Sequence, residues 1–234
     1  KVVIPAENKK YYSEKIIYLP DSYQPNSQKK PFTNKKFLRK DFNLPEDKFI
    51  FCCFNQHQRI SPVIFNIWTN ILKNNSQSVL WLLEDNIFSK KNLIIAAEKK
   101  GVDKNRIIFS QRIPIEDHLE RIKLADLFLD TYPYSAHTTC SDALRAGLPV
   151  LTIKGNTFAS RVASSLLTVI NLPELITENF ESYENLANEL IRKKNYFKEI
   201  RNKLEKNVPN SLLFNSKIYT RNIEQAFQNV VGKF

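Results

Sequence analysis

Five short apolar runs, separated by segments of helical period, constrain this chain more than any other feature. The runs are "KFIFCCFN", "SVLWLLE", "RIIFS", "LFLDT" and "PVLTI", rich in aromatic and branched residues, and each reads as a buried strand. Among them stand "SPVIFNIWTNILKN", "KKNLIIAAEKKG", "IPIEDHLERIKLA", "TTCSDALRAG" and "TFASRVASSLLTVI", with Gly101 and Gly147 placed as helix ends. Strand alternating with helix at this rhythm predicts an α/β fold built on a doubly wound, Rossmann-like parallel sheet. Ligands of such sheets bind at the carboxyl ends of the strands.

Composition narrows the partners. The chain has 234 residues, 42% of them hydrophobic, enough for one large domain or a domain plus a fragment. Lys and Arg number 35 against 24 Asp and Glu, a net charge of +11. Much of that excess lies in Lys- and Asn-rich helical stretches such as "NELIRKKNYFKEIRNKLEK", which read as solvated faces and not as a nucleic-acid surface. Three cysteines, two of them adjacent at Cys52 and Cys53, have neither disulfide nor metal-ligand spacing and suit a reducing cytoplasm. No apolar run approaches the ~20 residues of a membrane span, and no signal peptide opens the chain. The absence of Met reads as a segment of a longer protein.

Three polar clusters follow strands. "YPYSAHTTCSD" places His137, Thr138 and Thr139 at the start of a helix whose free N–H groups and dipole face a carboxyl strand end, where an anion such as phosphate is favoured. Asp142, one turn further, can accept from a sugar hydroxyl. A plain helix cap by Thr138 or Thr139, with His137 satisfied in the loop, fits the spacing equally. With four Gly and no G-x-G-x-x-G, a phosphate site here has to be built from hydroxyls. "FNQHQRI" puts Asn55, Gln56 and Arg59 after the first strand, addressing the same crevice or, alone, forming a polar loop. "IPIEDHLER" starts a helix with Pro114 and the acidic pair Glu116 and Asp117, with His118 and Arg121 on one face. All three clusters are read as lying on adjacent strands.

Together "FNQHQRISPVIFNIWTNIL", "SVLWLL", "RIIFS", "LPELITENFESYENLA" and above all the string from Leu124 to Leu167 resemble the carboxyl-terminal half of protein O-GlcNAc transferases, glycosyltransferase family 41, the bacterial type more than the animal one. The resemblance covers residues 11 to about 228. "AHTTCSD" and "GNTFASRVA" are closer to the GlcNAc-transferring branch than to the related O-fucosyltransferases.

The resemblance implies half of a metal-independent, cofactor-free GT-B enzyme that takes UDP-GlcNAc and glycosylates Ser or Thr of proteins. His137, Thr138 and Thr139 match its diphosphate motif, Asp142 its ribose carboxylate, and Gln56 a diphosphate-side glutamine. His118 and Arg121 match residues around the uracil, with Ile113 at a backbone contact to the base. Arg59, standing where most members carry lysine, and His137 are the expected catalytic residues, stabilising the departing UDP. Ile115 and Arg145 replace a frequent lysine and tryptophan. The implied organisation is a tail of the amino-terminal catalytic half at 1–22, a linker at 23–47, the Rossmann-like nucleotide-sugar domain at 48–210 and a carboxyl-terminal helix at 211–234. The protein acceptor is expected to be held by an upstream half and TPR repeats, with no nucleic acid or membrane as partner.

Overall fold

The computed structural model describes residues 1–27 and 32–231. Parts of the expected linker (28–31) and carboxyl-terminal helix (232–234) therefore lie outside the described residues. Among the described residues six strands form one parallel sheet: β1 Phe49–Cys53, β2 Ser78–Leu83, β3 Ile107–Ser110, β4 Leu127–Leu129, β5 Val150–Ile153 and β6 Ile176–Thr177. Their spatial order is β3-β2-β1-β4-β5-β6. The pairing is set by registers such as Cys52 with Trp81 and with Phe128, and Leu129 with Leu151. β2 and β5 are buried along their whole length, as expected of strands covered on both faces.

Among the described residues eight α-helices complete the fold: α1 Pro62–Asn74, α2 Ile87–Lys99, α3 Ile115–Arg121, α4 Thr138–Arg145, α5 Phe158–Val169, α6 Phe180–Arg192, α7 Lys194–Asn207 and α8 Ser216–Val231. Local chemistry sets their ends. Ser61 caps α1 with Pro62 at the first helical position, and Asn86 caps α2 by accepting from Ser89 N. Thr157 and Ser160 form a capping box at α5. Gly101 and Gly147 take φ of 78° and 79° just past α2 and α4, the left-handed ends the sequence signalled. In α7 only Ile200 and Leu204 are buried, so the lysine-rich stretch is a solvated face.

Strand order reverses between β1 and β4: the connections from β1 run outward to β2 and β3, and the chain then returns to β4. That reversal opens a crevice above the carboxyl ends of β1 and β4. It also corrects one expectation. β3, which precedes the His118 cluster, is separated from β1 by β2, so the three polar clusters do not stand on adjacent strands.

The segment that resumes at residue 32 is anchored at the opposite end of the sheet. Arg39 donates to the carbonyls of Pro45, Glu46 and Lys48 and to Asp126 Oδ2, at 2.8 to 3.3 Å. At the other end of the chain Tyr219 in α8 donates to the Tyr23 carbonyl at 3.1 Å, and Asn222 donates to Asp21 Oδ2 at 3.1 Å. Asp21, Tyr23 and Arg39 are thus each bonded to the folded body.

Candidate active site

The β4–α4 loop is shaped by a carboxylate that the strand itself delivers. Asp130 follows β4 directly and is 1% exposed. It accepts from Thr131 N, Ala136 N and Thr152 Oγ1, each at 2.7 Å, and from Asn55 Nδ2 at 3.4 Å. Burial pushes its carboxyl up to about 7 against the pull of these four donors. Behind it, Trp68 Nε1 donates to Tyr183 Oη at 3.2 Å and Tyr183 donates to the Asp130 carbonyl at 3.1 Å, connecting the loop to the core. The loop contains a cis Tyr132–Pro133 peptide bond.

Across the crevice, the β1–α1 loop is bonded to this frame. Asn55, 1% exposed, donates to Thr131 Oγ1 at 2.8 Å and accepts from Thr139 Oγ1 at 2.5 Å. Ser61 Oγ donates to the Tyr132 carbonyl at 2.8 Å. Two strand ends that the sequence separates by about 75 residues become one rigid rim.

α4 presents its amino terminus to that rim. His137 occupies the N-cap position and makes no side-chain cap bond; Thr138 is the first helical residue and Thr139 the second. The plain-cap alternative is therefore not what these threonines do: the Thr139 hydroxyl crosses to Asn55 instead. Thr138 is exposed. His137 Nε2 lies 3.2 Å from the Ala159 carbonyl, and burial, reinforced by nearby Arg59, holds its pKa below the usual histidine range. Neutral at ordinary pH, it accepts or donates without adding charge.

Arg59 ends a one-turn 3-10 helix, His57–Arg59, after β1. Its guanidinium carbon is 4.1 Å from the centroid of Tyr134, and the same ring stacks on His137 at 4.7 Å and 23°. Gln56 is exposed at the start of that turn, and Asp142 is buried within α4, at 5% exposure. Arg59 and His137 thus flank the helix amino terminus that carries Thr138 and Thr139, where free N–H groups, the Thr138 hydroxyl and a cation can receive an anion.

The base-side candidates are arranged differently from a pair on an open face. Arg121 is 1% exposed, its guanidinium 5.0 Å from Phe54, 5.8 Å from Phe42 and 6.0 Å from Trp81. It donates to His118 Nδ1 at 3.0 Å and to the Gln111 carbonyl at 2.7 Å, and burial pushes its pKa down to about 10. Arg121 therefore fixes the half-buried His118 and the loop carrying Ile113 from behind. His118 packs edge-on to Phe54 at 5.0 Å, which links this cluster to the end of β1 across the width of β2. Sequence reasoning missed Asp130, Thr131 and Tyr134 as site-builders; the one available signal was the polar end of "LFLDT". Among the described residues no three His, Cys, Asp or Glu side chains gather as a metal ion requires.

The parallel sheet of order β3-β2-β1-β4-β5-β6 with its switch-point crevice belongs to one class of protein, the carboxyl-terminal half of a GT-B glycosyltransferase. The profile of Glycosyl transferase family 41 matches residues 26–223, and the chain belongs to that family. It is 36% identical over 231 residues to the probable UDP-N-acetylglucosamine–peptide N-acetylglucosaminyltransferase SEC of Arabidopsis thaliana, covering 96% of this chain and 24% of that protein. Identity to the UDP-N-acetylglucosamine–peptide N-acetylglucosaminyltransferase of Caenorhabditis elegans is 34% over 186 residues, 80% of this chain and 16% of that one. The solved structure of a Thermobaculum terrenum O-GlcNAc transferase mutant superposes with a TM-score of 0.82 at 26% identity, covering 98% of this chain and 43% of its own. The chain spans about a quarter or less of these two curated relatives.

Proposed function

We propose that this chain is the donor-binding half of a UDP-GlcNAc-dependent enzyme that transfers GlcNAc to Ser or Thr hydroxyls of proteins. The observation that carries this reading is the convergence of Arg59, His137, Thr138 and Thr139 at the amino terminus of α4, over the β1/β4 switch point. Similarity to proteins named UDP-N-acetylglucosamine–peptide N-acetylglucosaminyltransferases supports the choice of sugar and acceptor.

In this reading the diphosphate lies against α4, with the Thr138 hydroxyl, the backbone N–H of Thr139 and the exposed Gln56 as its neutral donors and Asp142 taking ribose hydroxyls. The uracil sits toward Ile113 and His118, and Arg121 keeps His118 in place. Charge gathers on the UDP as its bond to the sugar breaks, so a fixed cation and aligned N–H groups favour the transition state over the bound donor. Arg59 and the α4 dipole supply that charge, and we assign the reaction no metal and no cofactor. His137 is the second catalytic residue, a neutral imidazole beside the leaving diphosphate.

Recognition of the acceptor is assigned to an upstream half and TPR repeats, with no nucleic acid or membrane involved. No described helix is long and apolar enough to cross a membrane. The three buried free thiols, Cys52, Cys53 and Cys140, suit the cytoplasm.

The test is thermal denaturation of this chain with UDP, UMP and GDP. A ligand at ~100 times its dissociation constant adds roughly 2.7 kcal/mol to the folded state. UDP should raise Tm more than UMP or GDP. Equal shifts, or none, would overturn the donor-site reading.

A further inference from the structure

Tyr134 has no role in the reading above, yet its ring lies against both Arg59 of the β1–α1 loop and His137 at the start of α4. The residue is 41% exposed, and it is a large aromatic on a loop that is otherwise closely bonded. That loop leaves the ring little choice of place: Thr131 Oγ1 donates to the Tyr134 carbonyl at 2.7 Å, and Asp130 accepts from Thr131 N. Ser135, the next residue, donates to the Ala159 carbonyl at 2.6 Å. From this fixed base the ring meets the guanidinium of Arg59 at 4.1 Å and the imidazole of His137 at 4.7 Å.

We infer that Tyr134 is a positioning residue: its ring holds the planar Arg59 guanidinium over the anion site at the amino terminus of α4. The inference rests on the reading of that crevice as a diphosphate site. A guanidinium is flat and weakly hydrated, so it stacks on an aromatic face, whereas a lysine ammonium is compact and keeps its water. Arg59 stands on a single 3-10 turn and has several rotatable bonds. Stacking restricts them before any ligand arrives, and a donor fixed in advance loses less freedom on binding. Tyr134 and Arg59 are thus a matched pair, and the value of the ring depends on the cation being arginine.

The experiment is a two-residue cycle in the 234-residue chain, measuring dissociation constants for UDP and for uridine by calorimetry. Binding of UDP by the unsubstituted chain is measured first; its absence would overturn the donor-site reading itself. Given that binding, Tyr134→Ala should weaken UDP about threefold to tenfold, the size of a partly desolvated cation–π contact. In an Arg59→Lys background the same change should weaken UDP by less than about twofold. Tyr134→Phe, which keeps the ring, should stay within about twofold of the parent, and uridine should bind equally in all variants. Should Tyr134→Ala fail to fold, Tyr134→Leu keeps bulk without a π face and carries the same expectation. An equal loss in both backgrounds would show that the ring touches the nucleotide itself. That result, no loss at all, or a parallel loss for uridine would each overturn the positioning role.

Discussion

Thr139 Oγ1 donates to Asn55 Oδ1 at 2.5 Å, joining the first turn of α4 to the loop after β1 across the point where strand order reverses. Asn55 is fully used: its amide also serves Thr131 and Asp130. Asn55→Ala would strand several buried polar groups at once. It should lower unfolding stability by about 2–3 kcal/mol and weaken UDP, while Thr139→Val, which orphans one acceptor, should cost about 1–3 kcal/mol. Urea denaturation of both variants checks the order; an Asn55→Ala chain as stable as the parent would show the rim to be dispensable.

Arg59 is expected to act through charge on phosphate and not through folding. Arg59→Ala removes a charge-assisted hydrogen bond worth about 1.5–3 kcal/mol. UDP should then bind roughly tenfold to a hundredfold more weakly, with uridine almost unaffected, and Arg59→Lys should recover most of the loss. Calorimetry with the two ligands decides it, since unchanged UDP affinity would place the side chain in solvent.

At the base side the expected pattern is the reverse. His118→Ala should weaken UDP and uridine by the same factor, because the group it addresses is common to both. Arg121→Ala should do so as well and should also destabilise the chain by about 3 kcal/mol or more, because it empties a site lined by Phe42, Phe54 and Trp81. A UDP-selective loss in His118→Ala would move His118 out of the base site.

Asp130 makes stability depend on pH in a direction opposite to most carboxylates. Its folded pKa, near 7, lies above that of the unfolded chain, near 3.8. Between those values the folded state holds one more proton, so this group's contribution is complete below about 4, is lost as pH rises, and has gone above about 7. Comparing the parent with Asp130→Asn over pH 4 to 8 isolates it from other titrating groups. The parent's stability should fall relative to the variant across that window; a difference that rises or stays flat would show that the four donors keep the carboxylate ionised throughout.

Much of this was legible in the sequence because strand interiors and helix periods are local signals. Five of the six strands, the helix starts at Ser61-Pro62 and Thr138, and the helix ends at Gly101 and Gly147 lie where pattern placed them. β6, two residues long, carries no period of its own and was not read as a strand. The spacing of His118 and Arg121 showed a shared face correctly but not its burial, since the aromatic rings around Arg121 come from three other parts of the chain. Asp130 was visible only as the polar end of a strand; its four donors are spread from Asn55 to Thr152, a grouping that sequence proximity does not encode.

Given the proposed base site, sealing Arg121 among aromatic rings also governs how base preference can change within this architecture. A side chain that supports both the core and the Gln111 carbonyl tolerates few replacements, so mutation at that position is filtered by folding before it is tested for ligand choice. Exposed neighbours on the same rim, Gln111, Arg112 and Ile115, have no such double duty in the core. Diversification of nucleotide selectivity should therefore accumulate at those outward positions while the guanidinium beneath them stays constant.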